Sequence, residues 1–477
     1  MLRSVRLGFA TNSSSAHSIV LHSSPTFAAL VDDDGFHHAA VSEHFELSKV
    51  ESKLAYLLWA HQQAGQLTIS AHTIMGLMQH FGDNHGMDVH RVLAMTQDPD
   101  LDSGDYYHGV ICRPGIELGP WIRFMAEGPV TIHGWYDNNT SPLEYAQEQD
   151  KLACDFNELV FRQDGAALVA YDPTTGFKFR WSPEAYTKST FPELVDMKIT
   201  DHCGWGCKFC YQGSTTEGQH ADYEVLTKAI DAFARAGVFE IAVGGGEPVT
   251  HPRFADLLTY AASKKVTLNF TTYGVDWAVK DNPIVEAMKA TRWRGGIGVS
   301  VHALKDLAKV DSLATNLRNL GVYQAQVMAQ TVVGVLPMAS TRAIVEASIA
   351  ADRPVLLLGY KTTGRGGSFP RKADDAKEML HLLEIAKTAI ARPDKEGEWG
   401  TREAYNFSLS VDTAFLDTYG SVLDSVGIPA VLRTSPEGKF SMYVDAVART
   451  AAPSSYADAS ASVAWNPESL EDIFARF

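Results

Sequence analysis

A chain of 477 residues is too long for one small core and points to two or three domains. Its composition, 45% hydrophobic and 21% charged, is that of an ordinary globular protein, and no apolar run approaches the ~20 residues a membrane helix needs. Lys plus Arg minus Asp plus Glu, 41 − 57, gives −16, which argues against broad nucleic-acid affinity without excluding a local basic patch. The N-terminus, MLRSVRLGFATNSSS, carries basic residues but no apolar core of signal-peptide length. Five cysteines, an odd number in a long chain, do not make a disulfide framework and fit a reducing cytoplasm.

Residues 1–185 read as a mixed α/β accessory domain. The polar cluster Thr11–Ser18 precedes the apolar run Ile19–Leu21, as a turn or cap leading into a strand, or as a contact tip. Val50, Leu54, Leu57, Leu58 and His61 fall at helical spacing, as do Ile74, Leu77, Met78 and Phe81. Twelve of the 17 histidines precede residue 150, but His80, His85 and His90 sit at intervals of five and do not share a helix face, so they read as exposed or capping groups. Strand patterns follow at Val130–Trp135 and through Leu159–Trp181, where Asp172-Pro-Thr-Thr-Gly176 joins two runs as a hairpin.

Between residues 186 and 370 strand-like runs alternate with amphipathic helices. Strands are expected at 194–200, 239–243, 266–272, 296–302, 323–333 and 354–358, and helices at 222–236, 253–264, 283–292, 304–320 and 340–351. That rhythm implies parallel βα units with right-handed crossovers. Residues 371–477 form a C-terminal extension, with a helix at 373–391, strands at 407–411 and 440–444, and a closing helix at 468–477. It contains no cysteine.

Three cysteines stand after the first strand of the repeating block, in Cys203-Gly-Trp-Gly-Cys207-Lys-Phe-Cys210. A glycine-rich loop can curl its thiols toward one point, and three thiolates leave one metal position without a protein ligand. A zinc knuckle would complete the set with His202 or His220. The second strand runs into Gly244-Gly245-Gly246-Glu247-Pro248. The Cys-x3-Cys-x2-Cys spacing with an aromatic before the last cysteine, followed by this GGGEP segment, resembles the radical S-adenosylmethionine (SAM) superfamily. The resemblance covers the repeating block and implies a partial (β/α)6 TIM-like barrel. Strand C-termini are also where barrel enzymes carry their chemistry, and both motifs lie there.

The resemblance implies a [4Fe–4S] cluster held by Cys203, Cys207 and Cys210, with SAM on the fourth iron. It implies that SAM is cleaved reductively and a hydrogen atom taken from an inert substrate carbon. Gly244, Gly245, Gly246 and Glu247 match the segment that holds the methionine end, so a bulky side chain at Gly245 is expected to fill methionine space and spare the iron. Phe209 matches a position packing near adenine; Ser300 and His302 end the fourth strand, where a polar contact to ribose or carboxylate is usual. Gly359 is expected to admit adenine by lacking a side chain. Lys361 and Arg365, at the sixth strand's exit, would face an anionic substrate group. No residue is singled out as catalytic. An electron donor such as flavodoxin or ferredoxin is implied as partner. The substrate is a peptide side chain, or a nucleotide or other small metabolite. The competing reading is a non-catalytic iron–sulfur or zinc protein acting in electron transfer or sensing, which has no use for a methionine-binding segment.

Overall fold

The computed structural model describes residues 159–373, 375–390, 406–428 and 437–477, the segments 2–6, 17–22, 44–47, 117–127, 132–135, 395–396 and 402–403, and isolated helical positions between 50 and 83. The chain divides into two units. The first comprises Met1–Arg3, Ser24–Asp172 and Phe179–Tyr186; the second comprises Ser4–Ser23, Pro173–Lys178 and Thr187–Phe477.

In the first unit an antiparallel hairpin pairs Val160–Asp164 with Ala167–Tyr171. A helix that the sequence reading missed, Leu118–Glu127, buries Trp121 and Phe124. Phe124 stacks on Phe179 at 5.6 Å and Trp121 meets Phe161 edge-on at 5.0 Å. Leu54, Leu57 and Leu58 are helical and buried, as are Leu77 and Phe81. His80 is part-buried against the Glu127 carboxylate, whereas His85 and His90 lie outside the described residues.

The second unit is built on one sheet. Its strands are β1 (Leu194–Thr200), β2 (Glu240–Gly245), β3 (Thr267–Thr272), β4 (Gly295–Ser300), β5 (Ala325–Val332), β6 (Val355–Leu358), β7 (Ser408–Asp412), β8 (Ser441–Asp445), β9 (Thr450–Ala452) and β10 (Val463–Ala464), with the N-terminal strand His17–His22. Among the described residues these eleven strands run in the order β10-β9-β8-β1-β2-β3-β4-β5-β6-β7 and then His17–His22. From β8 to β7 every neighbouring pair is parallel. The six expected βα units are thus present in sequence order, the partial-barrel architecture, and the parallel sheet gains β8 at one side and β7 at the other. The sheet also takes in His17–His22, which pairs antiparallel with β7; positions 11–16 of the polar cluster lie outside the described residues.

The crossover helices are α1 (Tyr223–Arg235), α2 (Phe254–Ser263), α3 (Pro283–Ala290), α4 (Leu307–Asn319) and α5 (Met338–Ala350), followed by α6 (Ala376–Ile390) and α7 (Thr413–Val426). Their starts are written locally. Asp222 caps α1 by accepting from the Glu224 N–H, and Asn282 caps α3 with Pro283 at the first helical position. Asp412 ends β7 and caps α7 through the Phe415 N–H.

Side-chain alternation with period two divides the sheet into two chemically different faces. Val195, Met197 and Ile199, Ile241 and Val243, Leu268 and Phe270, Ile297 and Val299, and Val355 and Leu357 all join one apolar core with the helices. The intervening residues include Asp196, Lys198, Thr200, Glu240, Asn269, Gln330 and Asp412, all buried. Several polar groups of this face pair across the sheet: Lys198 Nζ donates to Asp445 Oδ2 at 2.8 Å, Asn269 Nδ2 to Glu240 Oε1 at 3.2 Å, and Thr271 Oγ1 to Gln330 Oε1 at 3.1 Å. The face turned away from the apolar core thus mixes these polar groups with a few apolar ones, Leu194, Ala242, Met328, Leu356 and Leu358, and is suited to lining a site. Among the described residues no helix is long and apolar enough to cross a membrane.

Candidate functional site

The cysteine loop leaves the C-terminal end of β1 and is closed at its base by main-chain hydrogen bonds. Cys203 N–H donates to Thr215 O at 2.8 Å, Thr215 N–H to Asp201 O at 3.2 Å, and Asp201 N–H to Gln219 O at 2.8 Å. Within the loop, Cys210 N–H reaches Cys207 O and Gly213 N–H reaches Cys210 O, each at 3.2 Å, so two successive turns carry the last two thiols. Gly206 takes φ +62, a conformation that costs other residues energy. Gly204 does not share it, and a Cβ there would meet nothing within 4 Å.

All three thiols are free and half-buried. Burial pushes the Cys207 thiol up to about 11, reinforced by the Cys210 and Cys203 thiols beside it. Cys203 is raised as well, by burial first, with Glu247 and Cys210 adding. Three thiols that repel one another as thiolates are a soft donor set that a positive iron–sulfur core would relieve. Among the described residues, no three His, Cys, Asp or Glu side chains are placed to hold a single metal ion. The two histidines considered as a fourth zinc ligand have other partners: His202 Nδ1 lies 3.2 Å from Thr250 Oγ1, and His220 Nδ1 lies 2.8 Å from Thr200 Oγ1. The residues present fit a cluster on three cysteines better than a zinc knuckle.

The glycine segment at the end of β2 is welded to this loop. Gly246 N–H donates to Thr200 O at 2.7 Å and Glu247 N–H to His202 O at 2.8 Å. A Cβ on Gly245, whose φ is +119, would lie 2.2 Å from the Thr200 oxygen and 2.8 Å from Lys198 Cγ; one on Gly246 would lie 2.0 Å from the His202 oxygen. A side chain at Gly245 therefore strikes the root of the cysteine loop first, which corrects the expectation that it would spare the iron. Glu247 is buried, and its carboxylate accepts from Thr272 Oγ1 at 2.7 Å, Tyr273 N–H at 3.0 Å and Trp205 Nε1 at 3.1 Å. It ties the loop's exposed tryptophan to the end of β3.

An aromatic wall stands beside the thiols. Trp205 meets Tyr273 edge-on at 4.8 Å, Tyr273 stacks on His302 at 4.7 Å, and His302 meets Phe209 edge-on at 4.9 Å. His302 Nδ1 is 4.0 Å from Cys207 Sγ. Burial lowers the His302 pKa to about 4, so this imidazole is neutral at ordinary pH. Ser300 ends β4 two residues earlier, in register with Gln330.

Three of the expected site residues have other work. The space beside Gly359 is filled by protein: a Cβ there would lie 2.1 Å from the Ala414 carbonyl carbon and 2.2 Å from Phe415 N. The glycine admits the start of α7, not adenine. Lys361 is buried, donating to Ser455 Oγ at 3.1 Å, with its ammonium 4.3 Å from the Tyr211 ring centroid. Burial lowers its pKa, opposed by Asp412, Asp196 and Glu437. Arg365 spends its guanidinium on three main-chain carbonyls of the cysteine loop, those of Cys207, Gly213 and Ser214, at 2.9, 3.0 and 2.9 Å. Both cations have partners within the fold. Tyr273, which the sequence reading passed over, has no motif; only its place after β3 brings it between Trp205 and His302.

Residues 197–320 match the model of the radical SAM superfamily. The matched segment, 124 of the chain's 477 residues, carries both the cysteine loop and the glycine segment. That superfamily consists of enzymes whose cofactors are a [4Fe–4S] cluster and SAM. The chain is 29% identical over 138 residues to the mycofactocin maturase MftC of Mycobacterium ulcerans, a match covering 24% of this chain and 37% of that protein. It is 30% identical over 93 residues to the GTP 3′,8-cyclase of Hydrogenovibrio crunogenus, covering 18% of this chain and 28% of that protein. The chain therefore spans about a third of the length of the curated relatives it matches. Among solved structures, Streptococcus suis SuiB bound to its precursor peptide SuiA aligns at 16% identity and TM-score 0.42, covering 56% of this chain and 60% of that one.

Proposed function

We propose that this radical SAM protein is an enzyme that cleaves SAM reductively and takes a hydrogen atom from a substrate at the C-terminal end of its parallel sheet. The observation that carries the reading is the joint between the two motifs. The three-cysteine loop after β1 is hydrogen-bonded through Thr200 and His202 to the glycine-rich end of β2, so a cluster on the loop and a methionine at that strand end would be neighbours. When bound, the cluster and SAM supply the one-electron chemistry. The chain's own residues do the rest. Cys203, Cys207 and Cys210 hold the iron. The main chain of Gly244, Gly245 and Gly246 receives the methionine end, and Glu247 fixes that turn. Phe209 and the neutral ring of His302 offer an uncharged face for the adenine, and Ser300 a hydroxyl for the ribose. The wall helps exclude water from the site.

The reading places the protein in a reducing cytoplasm with a flavodoxin- or ferredoxin-type electron donor. The substrate is a peptide side chain, or a nucleotide or small metabolite; a maturase and a nucleotide cyclase among the relatives support assaying both classes. After anaerobic reconstitution the protein should carry about four irons per chain. Reduced with dithionite, it should convert SAM to 5′-deoxyadenosine and methionine. A protein that holds the cluster and leaves SAM intact would be a non-catalytic iron–sulfur module instead.

A further inference from the structure

The segment Thr363-Gly364-Arg365-Gly366, after β6, is docked along the cysteine loop. Arg365 N–H donates to Cys210 O at 2.9 Å and Thr363 Oγ1 to Tyr211 O at 3.2 Å. The approach requires glycine before the arginine, since a Cβ on Gly364 would lie 2.4 Å from the Tyr211 oxygen; one on Gly366 would lie 2.3 Å from the Lys361 oxygen of the segment's own turn. The half-buried guanidinium then bridges Cys207 O from Nε and Gly213 O and Ser214 O from Nη1. It thus spans the two turns that carry Cys207 and Cys210. A planar fork can serve several carbonyls at once, which a lysine ammonium on a flexible stem does less well.

We propose that Arg365 is a positioning residue that fixes the cysteine loop and places a permanent positive charge beside the cluster, raising the cluster's reduction potential. This rests on the radical SAM reading above. Adding an electron to a cluster on three thiolates increases its negative charge. A fixed cation hydrogen-bonded to the loop that would hold the cluster, and partly shielded from water, stabilises that reduced form more than the oxidised one.

The test is a potentiometric titration of the reconstituted full chain without SAM, following the reduced cluster by electron paramagnetic resonance. Arg365→Gln should shift the midpoint to more negative potential, and Arg365→Lys should keep it near that of the unmodified chain while loading iron less completely. The resonance reads only molecules that hold a cluster, so partial loading does not blur the midpoint. An unchanged midpoint in Arg365→Gln, or an equal negative shift in Arg365→Lys, overturns the electrostatic role. Failure of both variants to hold any cluster also overturns it, leaving a purely structural clamp. A cluster missing from the unmodified chain would instead overturn the functional reading.

Discussion

Gly246→Ala probes the joint on which the functional reading rests. The added Cβ would lie 2.0 Å from the His202 oxygen and 2.6 Å from its carbonyl carbon. Real contacts of this kind stop near 3.0 Å, so the two main-chain segments must part by about 1 Å. The neighbours are backbone held by strand pairing, not a side chain that can swing away. Parting them strains the Gly246 N–H bond to Thr200 O at 2.7 Å and the Glu247 N–H bond to His202 O at 2.8 Å. Overpacking costs about 1–3 kcal/mol, and each of the two weakened hydrogen bonds adds about 1 kcal/mol, so the loss should be about 3–5 kcal/mol. The cysteine loop is rooted at the same two residues, so iron per chain after anaerobic reconstitution should fall with it. Gly204→Ala is the control, since its Cβ meets nothing within 4 Å; it should change stability by less than about 0.5 kcal/mol and load iron normally. Urea unfolding of the apo protein and iron analysis measure both effects. Gly246→Ala that matches the unmodified chain in both assays, or Gly204→Ala that falls as far, would refute the steric argument.

Replacing Cys203, Cys207 and Cys210 together by alanine should abolish the cluster's visible absorption, whereas Cys112→Ala and Cys154→Ala, at positions outside the described residues, should leave it intact. Glu247→Gln turns an amide N–H₂ toward donors that now meet a carboxylate; it should cost about 1–3 kcal/mol and alter the fluorescence of Trp205. Lys361→Met removes the buried cation facing Asp196, Asp412 and Glu437 and should cost about 3–5 kcal/mol by leaving buried acids uncompensated. Burial, partly offset by Lys361, raises Asp196 from 3.8 to about 7. Between about pH 4 and 7 the unfolded chain releases a proton that the folded chain keeps. This group's contribution is therefore fully present below pH 4 and lost as pH rises toward 7. Asp196→Asn should flatten that part of the stability–pH curve, and an unchanged slope would show that Asp196 is ionised in the fold.

The sequence by itself determined the six central βα units and the placing of both motifs at strand ends. Period-two runs such as Leu194–Thr200, helix caps such as Asp222 and Asn282, and the Cys-x3-Cys-x2-Cys and GGGEP spacings are local signals, and local signals survive in a linear reading. Strand patterns at 407–411 and 440–444 were legible too, but their places in the sheet were not. Leu194 pairs with Ser441 and Val355 with Leu409, and parallel pairing across such gaps leaves no mark on either segment. The helix Leu118–Glu127 was missed; it opens on Gly119 and Pro120, residues that more often punctuate loops than begin helices. The tertiary structure alone decided what the glycines and cations of the site do. Gly359 looked like room for a ligand and is room for α7. Lys361 and Arg365 looked like free charges and are held within the fold. Their partners explain why: Arg365 is bound chiefly by main-chain carbonyls, which every residue possesses and no sequence pattern distinguishes, so only the fold could bring them to it.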